Sequence, residues 1–290
     1  MLPPELLQRL RGVRLHGRSL DPRFGVGERR SRGVGAGLEF ADYREYQPGD
    51  DFRYLDRHVY ARHGRTVLRQ FHIDQQASIT VLLDMSASMA AGEPAKERLA
   101  KQCAAALTAI ALFGGDRVDI GLFDGQGVQW HPRLAKVASL PRLFGWLEGA
   151  KARGEVSLEG VARVTYERLS PGGLLVVVSD WLLDGVPAAL ARWFQRGQEL
   201  VALQVLSPDE LDPRRLGSGA LQLVDAERGE VVDVDLSPDT ETRYREAFEA
   251  HQRELRDSMA AVQAWHVSAS SDESVDDVLL SRMRVQGVLR

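Results

Sequence analysis

Asp84, Ser86 and Ser88 place one carboxylate and two hydroxyls at alternate positions of one loop, directly after the apolar run Ile79–Leu83. All three are hard oxygen donors, the type that holds Mg²⁺ or Mn²⁺ while waters fill the remaining positions. A second carboxylate, Asp180, closes another apolar run, "LLVVVSD". Burying an aspartate charge is costly without a partner, and a cation shared between two strand ends would supply one. Taken alone, the loop also reads as an aspartate turn whose serines cap the following helix. The second strand ending in Ser179-Asp180 favours the cation. The same pair of carboxylates motivates another class of function, a Mg²⁺-dependent hydrolase or phosphotransferase using Asp84 and Asp180. Against it, Ser86 stands where an Asp-x-Asp phosphotransfer loop carries its second aspartate, and the spacing reveals no general base.

The elements that must position these residues are legible in the hydrophobic pattern. From Ser78 to about Leu206, continuous apolar runs alternate with helical segments. "SITVLLD", "RVDIGLFD", "GGLLVVVSD" and "QELVALQVL" read as strands, with "GVQWHP" as an edge hairpin partner of the second. "PAKERLAKQCAAALTAIALFGGD", "KVASLPRLFGWLEGA", "SLEGVARVTYERL" and "VPAALARWFQRG" read as helices. That alternation predicts a mostly parallel sheet covered on both faces, with strand C-termini along one edge, where ligands of open α/β sheets bind. After it come a β-hairpin near residues 218–236 closed at Arg228-Gly229, a long helix N-capped by Ser237 with Pro238 at its first position, a last strand "QAWHVSAS", and a closing helix "SVDDVLLSRMRVQ". Before it, residues 1–76 are rich in arginine and glycine. They begin with a short amphipathic helix, pass through a loop at Gly27–Gly37, and end in a small antiparallel element. Its expected strands are "LEFADYREYQP", "FRYLDRHVYAR" and "TVLRQFHID", with turns at Pro48–Asp51 and His63–Arg65. The division expected is 1–76 as arm and small β element and 77–290 as the α/β domain.

Composition narrows the functional classes. Across 290 residues the net charge is −4, so no global field favours nucleic acid. Arg29, Arg30 and Arg32 could touch nucleic acid, but a solvated loop is the simpler reading, and no nucleic acid is expected. The single cysteine, Cys103, shares helical spacing with Leu99, Leu107 and Ile110 and reads as core. It can form neither an internal disulfide nor a cysteine-rich zinc site, which fits a reducing, cytoplasmic setting. No apolar run approaches the ~20 residues of a membrane span. His58, His63 and His72 have no nearby residues to complete a zinc site, and the glycines of "GVGAG" lack the Gly-Lys-Ser/Thr of a phosphate loop.

Asp84-Met85-Ser86-Ala87-Ser88 is similar to the Asp-x-Ser-x-Ser signature of von Willebrand factor A domains, where it forms the metal-ion-dependent adhesion site. The order of elements from Ser78 to about Leu206 resembles that fold too. The resemblance implies a Rossmann-like, doubly wound α/β sheet with Mg²⁺ or Mn²⁺ held by Ser86, Ser88, Asp84 and Asp180, one position being open to a partner's carboxylate. The longer stretch "GLEFADYREYQPGDDFRYLDRHVYARHG", followed by the A-type domain, resembles the bacterial family called domain of unknown function fifty-eight. That resemblance implies a non-enzymatic adaptor, chaperone or assembly role beside MoxR-type AAA+ ATPases.

One departure from the A-domain pattern stands out. A complete adhesion site takes a threonine from the loop that corresponds to Gly154-Glu155-Val156-Ser157-Leu158, and the threonine position falls on Val156. Ser157 would substitute if the loop shifts by one residue, and Glu155 could turn inward. Trp181 and Leu182, next to Asp180, would form an apolar rim for a protein partner, or would pack beneath the loop. In the Tyr43–Asp56 stretch, tyrosines and arginines suit a docking surface, while Asp50, Asp51 and Arg53 read as a local salt-bridged turn.

Overall fold

The computed structural model describes residues 1–17, 39–47, 50–72 and 77–290. The chain opens with α1 (Pro4–Leu10), whose buried Leu6 and Leu10 join the core of the large domain together with Val13 and Leu15. Leu15 also bridges to Leu289 near the C-terminus. Residues 1–17 thus belong with 77–290, and the compact unit separate from them lies within residues 25–76.

In that smaller unit β1 (Glu39–Glu45) pairs antiparallel with a second strand that closes the segment. Between them lie a 3-10 turn, Phe52–Tyr54, and α2 (Arg57–His63), then β2 (Val67–His72). The alternating pattern of "FRYLDRHVYAR" predicts a strand there, and the structure overturns it. The Asp56 carboxylate accepts hydrogen bonds from the backbone N–H groups of His58 at 2.8 Å and Val59 at 3.1 Å. Gly64, in the left-handed region, ends the helix. A cap at each end outweighs a weak alternation. Arg44 pairs with Asp50 and Arg53 with Asp51, so these acids and arginines do form a local turn. The Gly27–Gly37 loop, its arginines and Pro48-Gly49 lie outside the described residues.

The large domain begins with β3 (Ser78–Asp84), followed by α3 (Lys96–Phe113), β4 (Arg117–Asp124), β5 (Gly127–Trp130), α4 (Leu140–Gly149) and α5 (Leu158–Thr165). It continues through β6 (Leu174–Ser179), α6 (Val186–Gln195), β7 (Glu199–Leu206) and the short α7 (Pro208–Leu211). The hairpin β8 (Gly219–Val224) and β9 (Val231–Leu236) leads to α8 (Pro238–Ala261), then β10 (Trp265–Ser270) and a closing π-helical turn, Asp277–Met283. The sheet has six strands in the order β10-β7-β6-β3-β4-β5, parallel throughout except for β5, which runs antiparallel on β4.

Strand residues alternate cleanly between two cores. Ile79, Val81 and Leu83 face the layer holding α1, α3 and α4, whereas Leu82, with Phe123 and Val177, faces the layer of α5, α6 and α8. Each such buried side chain contributes about 1.5–3 kcal/mol relative to exposure, so both faces are needed to hold β3. Helix α3 is apolar nearly all round, with Cys103, Ala104, Ala105, Ala106 and Leu107 fully buried. Burial pushes the Cys103 thiol up to about 12, which makes it a core residue rather than a nucleophile.

From β3 the chain moves outward to β4 and β5, then returns to the other side of β3 to lay down β6 and β7. The sheet therefore reverses direction between β3 and β6, the place where open α/β sheets bind ligands. Asp84 ends β3 and Asp180 directly follows β6.

Candidate functional site

The two strand ends bring Asp84, Ser86, Ser88 and Asp180 into one hydrogen-bonded group. Asp84 Oδ1 accepts from the Ser86 backbone N–H at 2.8 Å, and Asp84 Oδ2 accepts from Ser179 Oγ at 2.6 Å. Ser88 Oγ donates to Asp180 Oδ2 at 2.8 Å, and Asp180 Oδ1 accepts from the Leu182 N–H at 3.0 Å. The hydroxyl oxygens of Ser86 and Ser88 lie 3.1 Å apart. Both carboxylates are fully buried. Burial, with Asp180 close by, raises the Asp84 carboxyl to about 7.

A cation is already present in this group, and it is a side chain. Lys96 Nζ donates to Asp180 Oδ2 at 2.8 Å and also contacts Glu210 Oε1. The Lys96 side chain is 0 % exposed. It stands at the first residue of α3, behind the N-cap Ala95. A lysine there faces the positive end of the helix dipole, so its position is locally unfavourable. Burial also opposes its charge, but Asp180 and Glu210 outweigh that opposition, and its pKa lies above the ordinary lysine value. Glu210 is held in place by a reciprocal cap: its Oε2 accepts from the Ser207 N–H at 2.7 Å, and its own N–H donates to Ser207 Oγ at 3.2 Å.

The loop opposite is stitched to the serine loop by backbone hydrogen bonds. Ala87 N–H donates to Gly154 O at 2.9 Å, and Arg153 N–H donates to Met85 O at 2.7 Å. Gly125 and Gly154 meet backbone to backbone; a Cβ on Gly154 would come within 2.7 Å of the Gly125 Cα. The loop expected to supply a threonine thus lies against the serine loop, and the threonine position carries Val156, 9 % exposed and packed with Leu158 and Phe123. Ser157 caps α5, its hydroxyl facing the Gly160 N–H at 3.5 Å. Glu155 turns outward to Arg228 on the β8–β9 turn at 2.6 Å. That turn also carries Glu227, whose carboxyl is raised by partial burial and by the nearby Glu155 and Asp180.

Trp181 and Leu182 separate in role. Trp181 is 1 % exposed, with its indole N–H donating to Leu203 O at 3.3 Å, so it packs beneath the loop instead of forming a rim. It holds φ +59°, a left-handed backbone that a bulky residue adopts only under constraint. Leu182 is 41 % exposed and does lie at the surface.

The donor set only partly suits a divalent ion. The Ser86–Ser88 spacing is that of neighbouring ligands on an octahedron, which at the 2.0–2.1 Å distances of Mg²⁺ are about 2.9 Å apart. The rest does not follow. Val156 offers no oxygen, Ser157 serves a helix cap, and Asp180 Oδ2 is shared by Ser88 and the Lys96 ammonium. Mg²⁺ demands near-ideal octahedral geometry, and the set as a whole does not fit it. Among the described residues there is also no group of three histidine, cysteine or acidic side chains able to hold a metal.

Lys96 and Glu210 are the site residues that motif reading misses. Both left a trace. Lys96 is one of four lysines in an arginine-rich chain, and Ser207-Pro208-Asp209-Glu210 has the Ser-x-x-Glu spacing of a capping box.

Comparison with known proteins gives a family match and several distant likenesses. The family described as "Protein of unknown function DUF58" matches residues 42–258. An uncharacterized protein of Mycobacterium tuberculosis is 28% identical over 274 residues, covering 88% of this chain and 82% of that protein. Among solved structures, the conserved hypothetical protein BatB from Bacteroides thetaiotaomicron is 15% identical, covers 73% of this chain and 98% of that one, and has a TM-score of 0.48. A von Willebrand factor type A structure from Catenulispora acidiphila is 13% identical, covers 74% and 42%, and has a TM-score of 0.40.

Proposed function

We propose, for a chain that belongs to the family "Protein of unknown function DUF58", a non-catalytic role in protein interaction. The interacting surface is the strand-end edge around Asp84, Ser86, Ser88 and Asp180, with Leu182 at its rim. A divalent ion does not mediate the contact. The partner, inferred from the family resemblance of the Tyr43–Asp56 stretch and the A-type domain, is a MoxR-type AAA+ ATPase or its client, which the chain serves as adaptor or assembly factor.

One observation carries this reading: at the switch point of the sheet, a polar loop cluster fully engaged with protein donors lies beside an exposed leucine. With all four oxygens of Asp84 and Asp180 accepting from protein groups, the buried cluster is built as a rigid support for the edge rather than as a nucleophile or base. Leu182 is the exposed apolar side chain on this polar edge, and an apolar centre with a polar rim is the anatomy of a protein interface. No described helix is long and apolar enough to cross a membrane.

The test is a pull-down of a MoxR-type ATPase with the parent chain, with Leu182→Asp, and with the Asp84→Ala, Ser86→Ala double variant, each checked for folding by circular dichroism. Capture by the parent and loss in Leu182→Asp is the expected outcome. Equal capture by folded forms of all three sinks the assignment of this edge.

A further inference from the structure

The A-type loop pattern leads one to expect a metal ion between Asp84 and Asp180, and the structure places a side-chain ammonium against the same carboxylate. We infer that Lys96 is the permanent cation of this site, so that the edge takes up neither Mg²⁺ nor Mn²⁺ and offers a partner's carboxylate no open coordination position.

Three observations converge on this. The first is charge. Asp180 is buried without exposure, and Glu210, partly covered, shares the same ammonium with it. Such a group requires a counter-charge, and Lys96, itself 0 % exposed, supplies it from inside the chain.

The second is anchoring. Lys96 begins α3, whose body is locked in the core by Leu99, Ala100, Cys103 and Leu107. The ammonium is gripped from β6 by Asp180 and from α7 by Glu210. Glu210 is in turn pinned by the Ser207 cap. Moving the lysine out to admit an ion would leave that cap intact but strand both carboxylates, and would drag an apolar stem out of its packing. The ammonium is a compact point charge on a flexible stem with three donors, and it reaches carboxylates on two different elements at once.

The third is the ligand deficit. An ion entering this loop would find the two serine hydroxyls, but Val156 in place of a hydroxyl and Ser157 turned to its helix. Val156 and Lys96 are thus two halves of one replacement: the first removes a ligand, the second supplies the charge.

This inference deepens the statement that no divalent ion mediates the partner contact, and its test is separate from that of the partner, since metal binding is measured without any partner present. The full chain is titrated with manganese chloride, following free Mn²⁺ by electron paramagnetic resonance, and its thermal midpoint is compared in EDTA and in magnesium chloride. The parent is expected to show no saturable one-site binding and the same midpoint in both buffers. Lys96→Met, which keeps the apolar stem and removes the charge, is expected to melt lower than the parent in both buffers. Stoichiometric Mn²⁺ binding by the parent that disappears in Ser86→Ala, Ser88→Ala would overturn the inference. So would a Lys96→Met protein with the parental midpoint in EDTA.

Discussion

Lys96 Nζ lies 2.8 Å from Asp180 Oδ2, and neither side chain has any exposed surface. A buried ion pair of this kind contributes little net stability when intact, because desolvation offsets attraction. Removing one partner is what costs stability, by leaving a stranded charge. The pair is better understood as a specification of where α3, β6 and α7 meet than as a source of stability.

Glu210→Gln tests the outer half of that arrangement. Glu210 uses one oxygen for the Ser207 N–H and the other for Lys96. A glutamine has a single oxygen, so it can serve one of these donors and must turn its amide N–H groups toward the other. The expected loss is about 1.5–3 kcal/mol, the scale of a hydrogen bond to a charged group, measured by urea unfolding. No change would mean that Glu210 is a bystander.

Asp84→Asn addresses the pH dependence. The folded-state carboxyl is raised from 3.8 to about 7, so the folded chain holds this proton more tightly than the unfolded chain does. Its contribution to stability is fully present below about pH 4 and is lost as pH rises through 7, by on the order of a few kcal/mol. Asparagine mimics the protonated form: its oxygen accepts from the Ser86 N–H and its amide donates to Ser179 Oγ. The variant should therefore be as stable as the parent in acid and more stable above pH 7. Parallel stability curves for the two proteins from pH 5 to 8 would contradict the raised value.

Much of this architecture is legible in the amino-acid sequence, for specific reasons. β3 and β6 announce themselves because a strand buried on both faces is apolar at every position, and the aspartate ending each run is conspicuous against it. The hairpin and the Ser237-Pro238 start of α8 follow from turn and cap chemistry that is local in sequence. What was not readable is what depends on contacts between distant segments. Lys96 and Glu210 are 114 positions apart, and each alone looks like an ordinary charged residue near a helix start. Its place after Asp180 puts Trp181 at a partner rim, and the burial of its indole against the Leu203 carbonyl overturns that. α2 reads as a strand because seven residues are too few for helical periodicity to show, although Asp56 and Gly64 mark both its ends.

Gly154→Ala tests the seam between the two loops. Gly154 has φ +72°, and a Cβ there would sit 2.7 Å from Gly125 Cα. Alanine is strained by conformation and by collision with backbone that has no flexible end to yield. A loss of about 1–3 kcal/mol is expected from the backbone strain alone, together with faster amide exchange at Ala87, whose N–H donates to the Gly154 carbonyl. A variant with parental stability would show that the loops are not held at this point.

The central claim, that a lysine and not a metal ion neutralises Asp180 at the strand end, is tested most directly by crystals of the parent chain grown in manganese chloride, with diffraction recorded at the manganese edge. The account predicts continuous density for the Lys96 side chain between Asp180 and Glu210 and no anomalous peak at the Asp84–Ser88 loop. An anomalous peak bound by the Ser86 and Ser88 hydroxyls, with Lys96 displaced from Asp180, would contradict it.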